Sequence, residues 1–305
     1  MQIARVALVV LGLVLANAAH ATPVQRTFVA STGLDTNACS ASAPCRTFAA
    51  AQGQTNSGGE IIVLDSAGYG SMTITKSLSI VAAEGAYAGV SVPSGTGIYI
   101  GAAGVDVMLK GLTINGQGGS TGIYMASGNS LTVVDCAINN FTVYGIFVGS
   151  PSSVTIERTT LDRDYSGIYF GAGAQGTVSN VSIRNSSWVG LWAVASSQTR
   201  DTVVQVSDSL INGAKWSLVA NSSDATYRAD IQATRVQVHG ATDIGVDAEY
   251  QNGRINLSEC VITHNGVGVR AFSGGTIDTL QDNVVIHNSS NSDASTGSIN
   301  AYSKS

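Results

Sequence analysis

The sequence predicts an all-β chain wound as a right-handed parallel β-helix: a single solenoid of three-strand coils with a short capping helix near its N-terminus. Three observations carry this. Apolar residues recur at a step of 22 to 28 residues over most of the chain. They do so in three separate registers, each with one short strand per repeat. Charged residues make up only 11% of the chain and apolar residues 44%, so there is ample material for a core and no case for a charged disordered chain.

The chain opens with Arg5, the apolar run Val6 to Ala16 and then Ala19-His20-Ala21. A charged start, a short apolar stretch and a small-residue site read as a secretory signal over residues 1–21, cleaved after Ala21. The run is too short for a comfortable permanent membrane anchor. The expected product is secreted or periplasmic, with no membrane insertion after cleavage. Losing Arg5 takes the net charge from −5 to −6. No basic run follows, so nucleic acid has no electrostatic foothold.

Residues 22–60 read as a lead-in and cap. Cys39 and Cys45 lie six apart, and export to an oxidising compartment suits a local disulfide between them. A metal site there has no partner Cys or His nearby in sequence. Cys45 to Gln52 read as one amphipathic helix over the first coil, and Glu60 to Leu64 as a first strand.

The solenoid is expected over residues 61–288. One register runs Ile98, Ile123, Ile146, Ile168, Leu191, Leu218, Val246, Val269. A second runs Ile138, Leu161, Ile183, Ile211, Val238, Ile262, Val285, and a third Leu131, Val154, Val178, Val204, Ile231, Ile255, Ile277. Each segment alternates apolar and polar for only three to five residues, as in Ser130-Leu131-Thr132-Val133. Such strands need partners, and stacking at about 4.8 Å gives each its equivalent one coil away. An antiparallel sandwich is the structural alternative, but hairpin signals are sparse, and the consensus of a leucine-rich repeat is missing.

Asn140, Asn185, Asn265 and Asn288 fall in the turn after the second register, with Gly213 and Gly240 in the same turn of two other coils. Inward-turned, stacked Asn side chains would satisfy polar groups in the bend, and they would shield the sequons at Asn140 and Asn185. Cys136 and Cys260 share a column but sit five coils apart, beyond disulfide reach. They are expected as buried free thiols. Residues 289–305, rich in Ser, Asn and Asp, read as a polar tail or cap.

The stretches Thr27 to Asn37, Ala43 to Phe48, Gly59 to Asp65 and Tyr69 to Ile80 resemble the lead-in of bacterial secreted β-helix proteins of the pectate-lyase-like superfamily. With the coils, the resemblance covers nearly all of the mature chain. It implies the fold more than a function, because the superfamily holds lyases, hydrolases, epimerases and adhesins. Its lyases bind calcium through acidic residues on the outer face of one sheet and use a nearby Arg or Lys as base. Its hydrolases use paired aspartates, a Gly-His-Gly and an Arg-x-Lys, none of which this sequence has.

The residues following the first register point outward: Tyr99, Tyr124, Phe147, Tyr169, Trp192, Val219, Asp247, Arg270. Asp247, Glu249 and Arg270 are thus the candidates for a lyase centre, with calcium as its cofactor; the plain alternative is an exposed cross-strand ion pair. Asp162 and Asp164 read as a second acidic spot or a solvated turn, and His239, His264 and His287 as surface turn residues. Tyr99, Tyr124, Phe147, Tyr169 and Trp192 would form an outward strip about 20 Å long. Aromatic faces stack on sugar rings, which makes the strip a candidate polysaccharide-binding surface; the plain alternative is rings that stack on one another or pack under a neighbour. Three readings follow: a secreted binder of extracellular polysaccharide without strong catalysis, a polysaccharide lyase, and a structural or adhesive surface protein.

Overall fold

A computed structural model describes residues 23–196 and 199–303. The expected signal segment, 1–21, lies outside the described residues. The described residues form about ten coils whose strands line up in three parallel sheets of twelve, ten and ten strands. Sheet 1 begins at Val24–Val29 and ends at Ser298–Tyr302; sheet 2 runs from Ala67–Gly68 to Val284–Ile286; sheet 3 runs from Met72–Ile74 to Ser290–Asp293. Each coil visits sheets 1, 2 and 3 in that order.

The three registers of the sequence are the three inner columns. Ile123 pairs with Ile146 and Ile146 with Ile168 in sheet 3. Ile138 pairs with Leu161 in sheet 2, and Leu131 with Val154 in sheet 1. All of these side chains are buried. The core is therefore one continuous apolar column, and each strand's backbone is satisfied by the coils on either side.

The ends are longer than the sequence suggests. Val24–Val29 is already a strand, parallel to the end of Thr55–Val63, so the lead-in adds the outermost strand of sheet 1. Helix α1 spans Phe48–Gln54, three residues later than expected at its start. Thr47 decides this: its side chain accepts the Ala50 N–H as an N-cap, while Phe48 and Ala51 pack over the first coil. Cys39 and Cys45 form the expected disulfide. At the other end, the coil continues past 288 through Ser290–Asp293 and Ser298–Tyr302. A polar composition does not prevent this, because a last coil needs backbone pairing and only an occasional inward side chain, here Ile299 beneath Ile277.

The turns correct the Asn column. Entry into sheet 3 passes through one left-handed residue per coil: Asn140, Arg163, Asn185, Gly213, Gly240, His264 and His287, with φ between 54° and 75°. Asn and Gly accept this conformation at least cost. Asn265 and Asn288 lie one position later, in an inward column with Phe141, Asp164, Ser186, Ala214 and Ala241. There they do form a ladder. Asn265 Oδ1 accepts the Ala241 N–H at 2.8 Å, and Asn288 Oδ1 accepts the Asn265 N–H at 2.9 Å. Asn140 is half-buried and Asn185 exposed, so their side chains are not turned inward as the sequence reading had it. Both face the outer row, where Asn185 Nδ2 donates to Asp162 Oδ1 at 2.8 Å.

Cys136 and Cys260 are buried free thiols. Each donates to the carbonyl two residues before it, Val134 and Ser258 respectively, at 3.3 Å. Burial pushes the Cys136 thiol up to about 11.

Candidate functional site

Sheet 3 aligns the expected aromatic strip residue for residue: Tyr99 with Tyr124, Tyr124 with Phe147, Phe147 with Tyr169, and Tyr169 with Trp192. Strand alternation turns all five outward, and each is partly exposed. Neighbouring ring centroids lie 5.3, 4.9, 4.7 and 5.5 Å apart. Phe147 and Tyr169 stack at 17°, while the other three contacts are edge-to-face. Both geometries are favourable for aromatic pairs.

A second sequence feature sets the pose of the rings. Two residues after Tyr99, Phe147 and Tyr169 stand Gly101, Gly149 and Gly171. A Cβ on these glycines would lie 2.5, 2.8 and 2.7 Å from the ring two residues earlier. The rings therefore lie down along the strand, over bare backbone. Pro151, Ala172, Ser196 and Thr199 close a shallow groove of about 380 Å³ beside Phe147 and Tyr169. Burial pushes the Tyr169 hydroxyl up to about 12, so it is a neutral donor at ordinary pH. The Trp192 indole Nε1 is buried and, among the described residues, meets no hydrogen-bond partner.

The sequence reading missed four further rings. Tyr144 reaches the strip, 4.8 Å from Phe147 and 5.4 Å from Tyr169. Tyr165, Trp188 and Trp216 form a parallel ridge along the turn that enters sheet 3, with centroids 6.2 and 4.8 Å apart. The Lys215 ammonium sits over Trp188 at 4.5 Å and Trp216 at 5.4 Å, in cation–π range. Their signal was present: each lies two or three residues before a first-register apolar residue in its own coil.

Farther along the same face, the structure brings Asp247, Glu249 and Arg270 together. Arg270 donates from Nε to Asp247 Oδ1 at 2.9 Å, and from Nη2 to Asp247 Oδ2 at 2.6 Å and Glu249 Oε1 at 2.8 Å. Asn221 Nδ2 donates to Glu249 Oε2 at 2.6 Å. The pair is not the exposed one expected: Asp247 is 0% exposed, and its carboxylate is enclosed under the guanidinium. Burial pushes Asp247 upward, and the Arg270 fork opposes it. The fork's planar face is flanked by Trp216 at 5.9 Å and Phe272 at 5.1 Å.

Asp164 departs further from expectation. It is 1% exposed, inside the solenoid instead of in a solvated turn. Burial pushes it up to about 8. Asp162 stays on the outside, paired with Arg163. His239, His264 and His287 stack along an outer ridge with centroids 5.1 and 5.8 Å apart.

The sequence profile of the right-handed β-helix region matches residues 55–211, just over half of the chain. The chain belongs to the right-handed β-helix family. This β-helix protein is similar in structure to the pectate lyase Pel9A, with a TM-score of 0.62 and 18% identity over 90% of this chain and 80% of that one. It is similar to a rhamnogalacturonan lyase, with a TM-score of 0.56 and 9% identity over 90% and 86%. The full-length tailspike protein 2 of Escherichia coli O157:H7 bacteriophage CAB120 aligns with a TM-score of 0.54 and 14% identity, over 77% of this chain and 36% of that one. At these identities the likeness is one of fold. No curated protein matches the sequence of this β-helix protein.

Asp247 and Glu249 do not fit the calcium expected of a lyase centre. Both oxygens of Asp247 and both of Glu249 already accept from Arg270 or Asn221. Among the described residues no three of His, Cys, Asp or Glu gather closely enough to hold a metal ion. Arg270 could act as a base only by leaving two carboxylates that hold its proton in place; burial works to lower its pKa, and the carboxylates together outweigh it and raise it.

Proposed function

We propose that this protein binds an extended polysaccharide along the outer face of sheet 3, outside the cytoplasm, and works as a glycan-contacting surface. One observation carries the reading: five partly exposed rings stand in register on five consecutive coils, over a row interrupted by glycine where the rings need room. A polymer running along the solenoid axis meets a ring at every coil, about every 4.8 Å. Sugar rings present apolar C–H faces that stack on such surfaces, and hydroxyls that Tyr hydroxyls can bond at the edge. The Cys39–Cys45 disulfide supports an oxidising location. The likeness in fold to two polysaccharide lyases is consistent with a glycan partner.

The test is retention of the mature protein in native gels cast with soluble polysaccharides. The Tyr169→Ala/Trp192→Ala double variant is expected to lose most of the retardation while keeping its far-ultraviolet spectrum. Equal retardation of variant and parent on every polysaccharide that retards the parent would sink the reading. So would a parent that none of a broad panel retards.

A further inference from the structure

We propose that the protein carries a second saccharide site, for a neutral oligosaccharide, in a groove on the outer face of sheet 1 at the C-terminal end of the solenoid. The groove has a volume of about 610 Å³ and crosses the last four strands of the sheet, Ala229–Thr234, Gly253–Ser258, Thr276–Leu280 and Ser298–Tyr302.

Its floor is a row unlike the rest of the sheet. Gln232, Asn256, Asp278 and Asn300 pair in register on consecutive coils. Earlier coils carry Thr132, Thr155 and Thr177 in the same row, and Gln205, one coil before the groove, begins the change. The row thus changes, toward one end only, from short hydroxyls to flat side chains that offer donors and acceptors in fixed planes. Those planes are held. Asn300 Nδ2 donates to Asp278 Oδ1 at 2.9 Å, Arg254 Nε donates to Asp278 Oδ2 at 2.9 Å, and Asn256 Nδ2 donates to Asp230 Oδ1 at 3.3 Å.

What is left open identifies the ligand. Gln232 is exposed and, among the described residues, its amide makes no hydrogen bond. Asp230 takes, among the described residues, a single hydrogen bond, from Asn256, and burial raises its pKa. Arg254 keeps Nη1 free of Asp278. Adjacent sugar hydroxyls are each donor and acceptor, and they match such a set. The half-exposed Tyr302 ring on the groove wall offers an apolar face beside it. The groove's own lining sets Asp230 and Asp278 against Arg254, and Arg228 in the adjoining hollow brings the sum to zero without making it positive. A uronate or sulfate would gain no net attraction there, which selects an uncharged sugar.

The inference shares with the preceding reading only that the ligand is a glycan. It uses another face, so the two fail separately. Isothermal titration of the mature chain with cellohexaose, mannohexaose, chitohexaose and maltohexaose, and with hexagalacturonate as the charged control, tests it. At least one neutral hexasaccharide is expected to bind. Gln232→Ala and Arg254→Met should each weaken that binding about tenfold or more, and Tyr169→Ala/Trp192→Ala should leave it unchanged. Gln232 is exposed and holds nothing in place, so its variant keeps the test valid if Arg254→Met misfolds. The proposal is overturned if no neutral hexasaccharide binds, if Gln232→Ala binds as the parent does, or if binding disappears in the sheet 3 double variant.

Discussion

Asp164 Oδ1 accepts the backbone N–H of Phe141, one coil away, at 2.9 Å. Asn265 makes the same bond to Ala241 in a later coil, and its Nδ2 also donates to the Val238 carbonyl at 3.3 Å. Asp164 therefore occupies a rung of an Asn ladder with a carboxyl group whose other oxygen meets no donor among the described residues. The protonated acid fits this rung and the carboxylate does not.

Stability should consequently fall as pH rises. Below about pH 4 the Asp164 carboxyl is protonated both folded and unfolded. From there to about pH 8 the unfolded chain ionises it, near its ordinary value of 3.8, while the folded chain keeps the proton. The cost grows across that window and levels off above it. Asp164→Asn should remove the Asp164 part of this slope, to which the raised Asp247 and Asp230 also add, and gain about 1–3 kcal/mol at pH 8, where an amide N–H replaces the second carboxylate oxygen. Urea midpoints of both proteins from pH 4 to 9 measure it; parallel curves would contradict the assignment.

Asn265 holds three partners in the ladder, the buried Ala241 N–H and Val238 carbonyl and the half-buried Asn288 side chain. Asn265→Ala should cost about 1–3 kcal/mol, because it strands the Ala241 N–H. Asn185→Ala, on the exposed outer row, should cost well under 1 kcal/mol beyond the left-handed turn it must keep. Chemical denaturation of the two variants separates the positions.

Asp247 and Arg270 are mutually dependent. Arg270→Met leaves a fully buried carboxylate beside Glu249 without its counter-charge. The expected loss is about 3–5 kcal/mol. Adding Asp247→Asn to the same chain should restore a large part of it, since the stranded charge is then gone. A double-mutant cycle with no coupling would mean the pair is not closed in solution.

The glycine row beside the strip gives a subtler test of glycan contact than removing a ring. In Gly171→Ala the new Cβ meets the Tyr169 ring at 2.7 Å. The ring must lift from the sheet while every aromatic residue remains. Retardation in polysaccharide gels should fall several-fold with little change in melting temperature. An unchanged mobility shift would mean that ring pose is irrelevant.

Cys136 and Cys260 are buried, with raised thiol pKa values. Under native conditions iodoacetamide should label neither within hours, and both within minutes in urea, as read by intact mass.

The fold was legible because a solenoid repeats its own constraint. Ile146, Ile168 and Leu191 must meet one another, so their spacing announces the coil and fixes which neighbours point outward. That reached the strip from Tyr99 to Trp192 and the meeting of Asp247 with Arg270. It did not reach Asn265, because Asn140 and Asn265 look alike in sequence yet sit one residue apart in register. Which of them faces the core depends on the loop, not the strand.

By itself the sequence determined the coil, its three inner columns, the disulfide and the aromatic row, all of which follow from a period that local chemistry repeats. Only the tertiary structure decided burial: Asp164 inside, Asp247 sealed beneath Arg270, strands at both ends where composition suggested none, and a polar groove on sheet 1. Burial at such places is set by how one coil's turn closes over the next, and the period of the strands carries no information about that closure.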